Sequence, residues 1–232
     1  MLIILASRHD PTAPWLADEW AADEAVVLTC EDLSCAGWEY DVAAPERGSF
    51  VVGGRSVAQS TIRAVLTRLP SVSPHELPGI VDEDRDYVAQ ETMAFLLAWL
   101  AALGPRAVNR PTPYCLMGPH WRTERWVKVA RDLGLATVPV TRKAAPGVPP
   151  SQTSYDLTSV TVVGARAFLS DGSPPSQPQF DAAVRLARAA AADLLAVQFT
   201  ADDAVADANL WPDLRVTAVQ AALRDHLLRA AS

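Results

Sequence analysis

Two short apolar runs with a helical segment between them constrain the fold more than any other feature of the sequence. Residues 2–6 read LIILA and residues 25–29 read AVVLT, and polar residues bound both runs. Uninterrupted apolar runs of this length are typical of strands buried on both faces of a parallel sheet. Residues 11–23 carry apolar side chains at helical spacing. The order strand–helix–strand therefore predicts an α/β domain.

Turn signals predict two hairpins farther along the chain. Gly53-Gly54 separates two β-prone runs, and Gly164-Ala165 separates two more. A two-residue turn of this composition between β-prone runs is a strong hairpin signal. Residues 84–103 have the pattern of a long helix that ends at Gly104-Pro105. Further strands are predicted at residues 62–66, 107–109, 136–140 and 194–199, and further helices at residues 119–134, 179–193 and 217–228.

A Pro/Ser-rich stretch divides the chain into two predicted domains. Residues 144–157 contain three prolines and two serines, which is the composition of a linker or an ordered surface loop. We therefore expect an N-terminal parallel-sheet domain at residues 1–143, a linker at 144–157, and a smaller α+β domain at 158–232.

Composition narrows the classes of partner and the compartment. The net charge of −7 disfavours nucleic acid, because phosphate binding needs a basic face. Cys30, Cys35 and Cys115 form no CxxC pair, which argues against a disulfide framework or a structural zinc site and favours reduced thiols in the cytoplasm. The longest apolar run, residues 93–103, is shorter than the ~20 residues of a membrane span. We expect a cytoplasmic protein that binds neither nucleic acid nor membrane.

The same apolar run has a consequence for assembly. Residues 93–103 read MAFLLAWLAAL, so the helix is apolar nearly all round. A helix of this kind is buried on more than one side. The extra face predicts a homodimer, and the alternative is a central helix covered by both sheet and loops.

Three strings resemble the N-terminal part of the ATP-grasp family. They are residues 64–70 (AVLTRLP), residues 107–111 (AVNRP) and residues 126–141 (WVKVARDLGLATVPVT). Their order and spacing resemble those in one branch of the family, whose enzymes join a carboxylate to an amine. That branch includes ligases that modify ribosomal peptides. Residues 158–169 and the element Asp207-Ala208-Asn209, followed by Pro212, resemble the far end of the same fold.

The resemblance implies a site for a metal ion and a nucleotide, but this sequence lacks some of the residues that the family uses there. In the family a Glu and an Asn hold Mg²⁺ beside ATP, which implies that Asp207 and Asn209 are metal ligands here. The family's earlier metal carboxylate corresponds to the neutral Gln198. Only residues 142–157 lie where the family has a subdomain with a phosphate-gripping lysine. We therefore expect a truncated, degenerate nucleotide site and no bound cofactor. The alternative for Asp207 and Asn209 is a turn with an Asx cap.

Polar residues at predicted strand ends and at a helix start form a candidate ligand site. Arginine has a planar fork that binds a carboxylate through two hydrogen bonds. The alternative is a solvated loop and helix face. A nucleophilic pair of Cys115 and His120 is also conceivable. The candidate ligand-binding residues are Arg68, Asn109, Arg110, His120, Arg122 and Arg125.

Two classes of function follow from these features. The first is a non-catalytic or auxiliary ATP-grasp-like binding protein for a peptide, a carboxylate ligand or a partner enzyme in a natural-product pathway. The absence of a strand with a phosphate-gripping lysine between the matched segments favours this binding function. The alternative is an enzyme, either an ATP-dependent ligase that forms an amide or ester bond with ATP and Mg²⁺ or a protein with new chemistry in the same cleft. The Asp-x-Asn element favours that alternative.

Overall fold

The computed structural model describes residues 1–141 and 156–230, which have a mixed α/β fold with a four-stranded parallel sheet, a four-stranded antiparallel sheet and a two-stranded antiparallel sheet. The chain forms two compact units. The first contains Met1–Pro119 and the residues from Leu223 onward, and the second is His120–Ala222. The boundaries predicted on either side of residues 144–157 fall within the second unit, and only residues 156 and 157 of that stretch are described.

The first unit begins with the predicted strand–helix–strand order. Strand β1, helix α1 and strand β2 are followed by a short helix, α2, and by the first predicted hairpin, whose Gly53 and Gly54 have φ of +55° and +75°. Two-residue hairpin turns favour such left-handed conformations, which glycine adopts without steric cost. The bounds are β1 (Leu2–Ala6), α1 (Thr12–Glu19), β2 (Val26–Leu28), α2 (Cys30–Leu33), β3 (Ser49–Val52) and β4 (Arg55–Ala58).

A four-stranded parallel sheet is the centre of this unit. Strand β5 (Ala64–Arg68), helix α3 (Asp82–Leu103) and strand β6 (Ala107–Val108) complete the unit's main elements. The strand order is β2-β1-β5-β6, and every pairing is parallel. All five residues of β1 are fully buried, as the continuous apolar run predicts. One core cluster joins this sheet to α3 and to the β3–β4 hairpin.

Helix α3 confirms the predicted long helix and begins two residues earlier than expected. Its buried face consists of Ala89, Leu96, Trp99, Leu100 and Leu103. By length and composition alone, the span Asp82–Arg106 is apolar enough to cross a membrane, although only 28% of its most apolar window is buried in this structure. A single helix of this kind among the described residues is a weak indication of a membrane protein, because core helices can have the same composition.

The second unit contains an antiparallel sheet with helices packed on it. The second predicted hairpin is present as β7 and β8, and the strand order of the sheet is β10-β9-β7-β8. Helix α5 packs against β7, β8 and β9, and helix α4 packs against β10. The bounds are α4 (Thr123–Asp132), β7 (Thr158–Val163), β8 (Arg166–Leu169), α5 (Gln177–Ala189), β9 (Leu194–Phe199) and β10 (Val205–Asn209). Helix α6 (Thr217–Ala230) begins in this unit, and its residues from Leu223 onward belong to the first unit.

The strand predicted at residues 136–140 is wrong. Only Thr137 forms an isolated parallel bridge, with Val205. The Val138 N–H donates to the Val205 carbonyl oxygen at 3.1 Å, and the Val205 N–H donates to the Ala136 carbonyl oxygen at 2.8 Å. Pro139 follows and has no N–H to donate, so the pairing cannot continue as a ladder.

Candidate functional site

The parallel sheet of the first unit has a topological switch point between β1 and β5. The chain leaves β1 toward β2 on one side, and it leaves β5 toward β6 on the other. Open α/β sheets bind ligands outside the carboxyl ends of the strands at such a point. Polar side chains that follow β1 or end β5 therefore lie at the position where this unit would bind a ligand.

A buried ion pair occupies the switch point. Arg68, the last residue of β5, is 5% exposed. Its Nε donates to Asp10 Oδ2 at 2.5 Å, and a terminal nitrogen of the same guanidinium donates to Asp10 Oδ1 at 3.4 Å. Both side chains are 6% exposed. The guanidinium thus links the end of β5 to the loop that follows β1.

A second polar contact lies in the loop after β1. The Ser7 hydroxyl donates to Glu76 Oε1 at 2.7 Å, and the Arg8 backbone N–H donates to Glu76 Oε2 at 3.4 Å. Glu76 is buried, so these donors stabilise a carboxylate that would otherwise be unsolvated. The loops at the carboxyl edge of the sheet are therefore held by ionic and hydrogen-bonded contacts.

The loop after β6 contains two of the predicted residues. Asn109 is 3% exposed and Arg110 is exposed. Gly118 lies against Asn109, and a Cβ at Gly118 would come within 2.9 Å of the Asn109 Cβ. The glycine has φ of +109°, so only this residue type allows the loop to approach so closely. Asn109 is thereby held inside the loop, and Arg110 is left at the surface.

The start of α4 in the second unit presents a cationic and aromatic surface. His120, Arg122 and Arg125 are exposed. The Arg125 Cζ lies 4.3 Å from the centroid of the Trp121 ring, which is cation–π geometry. Trp121 in turn contacts the buried Trp126, with ring centroids 4.6 Å apart. Three of the predicted residues are therefore close together in this unit.

A row of polar side chains crosses the antiparallel sheet. Asp207 on β10 lies opposite Gln198 on β9, and Gln198 lies opposite Ser159 on β7. The Gln198 Nε2 donates to Ser159 Oγ at 3.0 Å. Asn209 is two residues from Asp207 on the same strand, so both side chains point to one face of the sheet. The predicted metal ligands, Asp207 and Asn209, therefore share a face with Gln198, the neutral residue at the position of the family's other metal carboxylate.

Burial weakens the ionisation of Asp207. Desolvation raises the pKa of its carboxyl group above the ordinary aspartate value, and the nearby Glu124 adds to the rise. Hydrogen bonds from the Ala208 N–H and from Thr123 act in the opposite direction without cancelling it.

The donor set on this face fits Mg²⁺ poorly by itself. The Asn209 Oδ1 accepts the Trp211 backbone N–H at 2.9 Å, which is the predicted Asx turn. Asp207 is the one carboxylate in the row of Asp207, Gln198 and Ser159. No group of three or more His, Cys, Asp or Glu residues able to hold a metal ion occurs in the part of the chain that the structure describes. Magnesium sites of this kind need further oxygen ligands, such as substrate phosphates.

The cysteines do not form a catalytic arrangement. Cys115 is buried, and desolvation raises the pKa of its thiol. Burial raises the pKa of the Cys30 thiol to about 12. Only Cys35 is exposed. Because the thiolate is the nucleophile, Cys115 is a poor candidate for the conceivable pair with His120.

The six predicted ligand-binding residues fall in both units. Arg68, Asn109 and Arg110 follow or end strands of the first unit, and His120, Arg122 and Arg125 surround the start of α4 in the second. Sequence reasoning missed Asp10 and Glu76 as partners at the carboxyl edge. Asp10 lies 58 positions from Arg68, and nothing local in the sequence signals that pairing. Trp121 carried a signal, as a tryptophan beside a predicted helix start.

Solved structures of peptide-modifying ligases share this fold. No known family profile matches the sequence, and no curated protein matches it either. The macrocyclase MdnC from Microcystis aeruginosa MRC, solved with its precursor peptide MdnA, aligns with a TM-score of 0.67 at 12% identity over 99% of this chain and 100% of its own.

Two further ligases give similar alignments. The ATP-grasp ligase PsnB, solved with the precursor peptide PsnA2 and AMPPNP, has a TM-score of 0.61 at 14% identity over 100% of this chain and 97% of its own. A RiPP-associated ATP-grasp ligase from Chryseobacterium gregarium, in complex with ADP and a leader and core peptide, has a TM-score of 0.65 at 10% identity over 99% and 95%. At these identities the likeness concerns the fold, and it confirms the expected ATP-grasp-like architecture.

Proposed function

We propose that this chain is a non-catalytic or auxiliary ATP-grasp-like binding protein that takes a peptide or carboxylate ligand, or a partner enzyme, in a natural-product biosynthetic pathway. The similar structures are ligases solved with precursor peptides, which supports a peptide-related role. A fold can carry many functions, so the choice between binding and catalysis rests on the site.

The register of the antiparallel sheet carries this proposal. Gln198 stands directly opposite Asp207, so a neutral amide lies beside a carboxyl group whose pKa is already raised. Magnesium in nucleotide sites is held by one or two carboxylates of the protein together with substrate phosphates. The row of Asp207, Gln198 and Ser159 offers one carboxylate where the resemblance implies two, which favours a binding protein that works without ATP and Mg²⁺.

The lysines of the chain support the same reading. There are two, Lys128 and Lys143. Lys128 is on the exposed side of α4, and its Nζ lies 2.5 Å from Asp132 Oδ2. Lys143 lies outside the described residues. In the family that the sequence resembles, the lysine that grips the nucleotide phosphates lies on a strand, whereas Lys128 is on helix α4.

The alternative is an ATP-dependent carboxylate–amine or peptide ligase, or an enzyme with new chemistry in the same cleft. Asp207 and Asn209 favour it, because both are present on one sheet face with the spacing of the family's metal ligands. On that alternative, ATP and Mg²⁺ would be the cofactors and an amide or ester bond would be the product.

Each unit of the proposed protein contains part of the set of six residues named from the sequence. In the first unit the exposed Arg110 is proposed to contact ligand directly, and in the second unit the exposed His120, Arg122 and Arg125 are proposed to do so. Arg68 and Asn109 are buried and are proposed to hold the ends of β5 and β6 from which the ligand-contacting loops begin. We further propose a cytoplasmic homodimer whose partners exclude nucleic acid and membranes.

Calorimetry with ATP and Mg²⁺ separates the two functions. We expect no binding tighter than about 1 mM, which corresponds to roughly −4 kcal/mol. Asp207→Ala and Asp202→Ala are the matched pair of variants, because Asp202 is an exposed aspartate of the same unit. Micromolar binding that Asp207→Ala abolishes and Asp202→Ala preserves would establish the ligase alternative.

A further inference from the structure

The start of α4 exposes two arginines on an acidic protein, with one carboxylate, that of Glu124, between them in sequence. The chain carries a net charge of −7, yet His120, Arg122 and Arg125 are exposed within six consecutive residues. Neither Arg122 nor Arg125 forms an ion pair within residues 1–141 and 156–230. The remaining residues, 142–155 and 231–232, contain no Asp or Glu. The two guanidinium groups are therefore not neutralised by an acidic side chain of this chain.

The Arg125 guanidinium is held in a fixed place by aromatic stacking. Its Cζ lies 4.3 Å from the Trp121 centroid, and Trp121 rests on Trp126, which is 1% exposed. A cation–π contact at this distance leaves the planar fork of the guanidinium able to donate hydrogen bonds to a carboxylate. An arginine fixed in this way loses less rotamer freedom when it binds a carboxylate.

The backbone at the same point adds to the positive potential. Arg122 is the N-cap residue of α4, and no side chain caps the helix there. Helix N-termini carry partial positive charge from unpaired N–H groups. The helix dipole, Arg122 and Arg125 thus act on the same small area, which suits one or two carboxylates rather than a long polyanion.

We propose that His120, Trp121, Arg122 and Arg125 form a docking surface for acidic side chains of a peptide. This inference rests on the proposed function and names the chemistry of its ligand. Arg125 forms paired hydrogen bonds to a glutamate or aspartate carboxylate, Arg122 supplies the second cation, and Trp121 fixes the orientation of Arg125. Nucleic acid is disfavoured because its binding draws on many phosphate contacts along a basic stripe, and this surface has two arginines, Arg122 and Arg125.

Fluorescence anisotropy with matched probes tests the proposal. The probes are a labelled glutamate-rich peptide, the same peptide with every glutamate replaced by glutamine, and a labelled single-stranded DNA oligonucleotide. We expect the full chain to bind the glutamate peptide about tenfold more tightly than the glutamine peptide, because charge-assisted hydrogen bonds account for the difference. We expect the oligonucleotide to bind more weakly than the glutamate peptide.

Variants locate the effect on this surface. Arg125→Gln and Arg122→Gln should each weaken binding of the glutamate peptide by about tenfold. Arg131→Gln is the matched control, since Arg131 is an exposed arginine of the same helix, and it should leave binding unchanged. Arg125→Lys keeps the charge but loses the planar fork, so it should resemble Arg125→Gln more than the wild type.

A double-mutant cycle tests the role given to Trp121. Trp121→Leu keeps an apolar contact with Trp126 but removes the aromatic face beneath Arg125. If Trp121 acts by fixing Arg125, the double variant Trp121→Leu/Arg125→Gln should bind no more weakly than Arg125→Gln alone. Independent losses in the two single variants would contradict this role. Circular dichroism verifies that each variant is folded.

The outcomes separate this inference from the proposed function. Equal binding of the glutamate and glutamine peptides, or an Arg131→Gln loss as large as that of Arg125→Gln, overturns the docking surface and leaves a peptide-binding protein standing. Oligonucleotide binding that is tighter than peptide binding also overturns the docking surface. Failure to bind either peptide at any concentration overturns the docking surface and counts against the proposed function as well.

Discussion

Arg68 is the residue whose surroundings differ most from what its position in the sequence indicates. Because Arg68 ends a predicted strand just before a proline, the sequence predicts that its side chain is available for a ligand at the edge of the sheet. In the structure it is buried and donates to Asp10 through two nitrogens. Removing one partner of a buried ion pair leaves an uncompensated charge, which is far more costly than losing a surface contact.

Arg68→Ala should therefore lower the free energy of unfolding by about 3–5 kcal/mol. Asp10→Ala should lower it by a similar amount, because the buried guanidinium would lose its carboxylate. Arg110→Ala is the control, and at an exposed position it should change stability by no more than about 0.5 kcal/mol. Urea unfolding monitored by circular dichroism measures all three, and a loss of less than about 1 kcal/mol for Arg68→Ala would contradict the structural role.

Asp207 predicts a pH dependence of stability. Its pKa is raised in the folded chain above the ordinary value of 3.8. Between those two pKa values the folded state binds more protons than the unfolded state, so stability falls as pH rises. Asp207→Asn removes this effect. The variant should match the wild type near pH 4 and become more stable than it toward pH 7.

Asp202→Asn provides a control of opposite sign. The Thr200 hydroxyl donates to the Asp202 carboxylate at 2.6 Å, and this hydrogen bond lowers the pKa of Asp202. A lowered pKa stabilises the folded state above the unfolded pKa, and that contribution is lost as pH falls through the folded pKa. Asp202→Asn should therefore be less stable than the wild type at neutral pH. Urea midpoints from pH 4 to pH 7 test both variants. If both variants are stabilised, or both destabilised, relative to the wild type at neutral pH, the opposite pKa shifts of Asp207 and Asp202 are refuted.

At the scale of single elements, helix α2 depends on one carboxylate. The Asp32 Oδ2 accepts the Thr29 N–H at 2.9 Å, and its Oδ1 accepts the Gly53 N–H at 2.9 Å. The Thr29 hydroxyl in turn accepts the Asp32 N–H, which completes a capping box. One side chain thus starts a four-residue helix and ties it to the turn of the β3–β4 hairpin.

Asp32→Ala should lower the free energy of unfolding by about 1–2 kcal/mol, the upper part of the range for a lost helix cap. Glu31→Ala, at the adjacent exposed position, should change it by no more than about 0.5 kcal/mol. Thermal or urea unfolding distinguishes the two. Equal effects at both positions would show that the cap contributes little.

Elements encoded by local patterns could be predicted, and those that depend on distant partners could not. Strand β1 and both hairpins follow from apolar runs and two-residue turns, so the sequence was sufficient for them. The strand predicted at residues 136–140 was wrong because the prediction relied on the apolar pattern of these residues, and Pro139 among them has no N–H to continue the pairing. Helix α2 was missed because four residues are too few to show a helical period. The Arg68–Asp10 contact was missed because it joins the end of β5 to the loop after β1, 58 positions away.

At the scale of the whole molecule, helix α3 bears on assembly. Tyr87 on its surface is 66% exposed, and Ala94 and Ala98 are exposed one turn apart. Next to them, Phe95 contacts Trp38, which is itself 38% exposed, at a centroid distance of 4.8 Å. This apolar surface supports the proposed homodimer, since large exposed apolar patches on soluble proteins mark interaction sites.

Light scattering tests this proposal against the chain mass of 24.9 kDa. We expect twice that mass for the wild type at high micromolar concentration. Ala98→Glu places a charge on the exposed face of α3 and should give the mass of a single chain. Ala189→Glu, at an exposed position of helix α5, should leave the dimer intact. A single-chain mass for the wild type would rule out the homodimer.

The division of the chain also has a consequence for synthesis on the ribosome. The first unit takes its last segment from Leu223 onward, and Arg224 donates to Asp23 across 201 positions of sequence. All residues of the second unit have therefore been translated before the first unit has its final helical turns. Domains usually fold in order from the N-terminus during translation. Here the unit that begins first is completed last, and nascent chains that stop before Leu223 contain Arg63 but lack Arg224, the second arginine that pairs with Asp23.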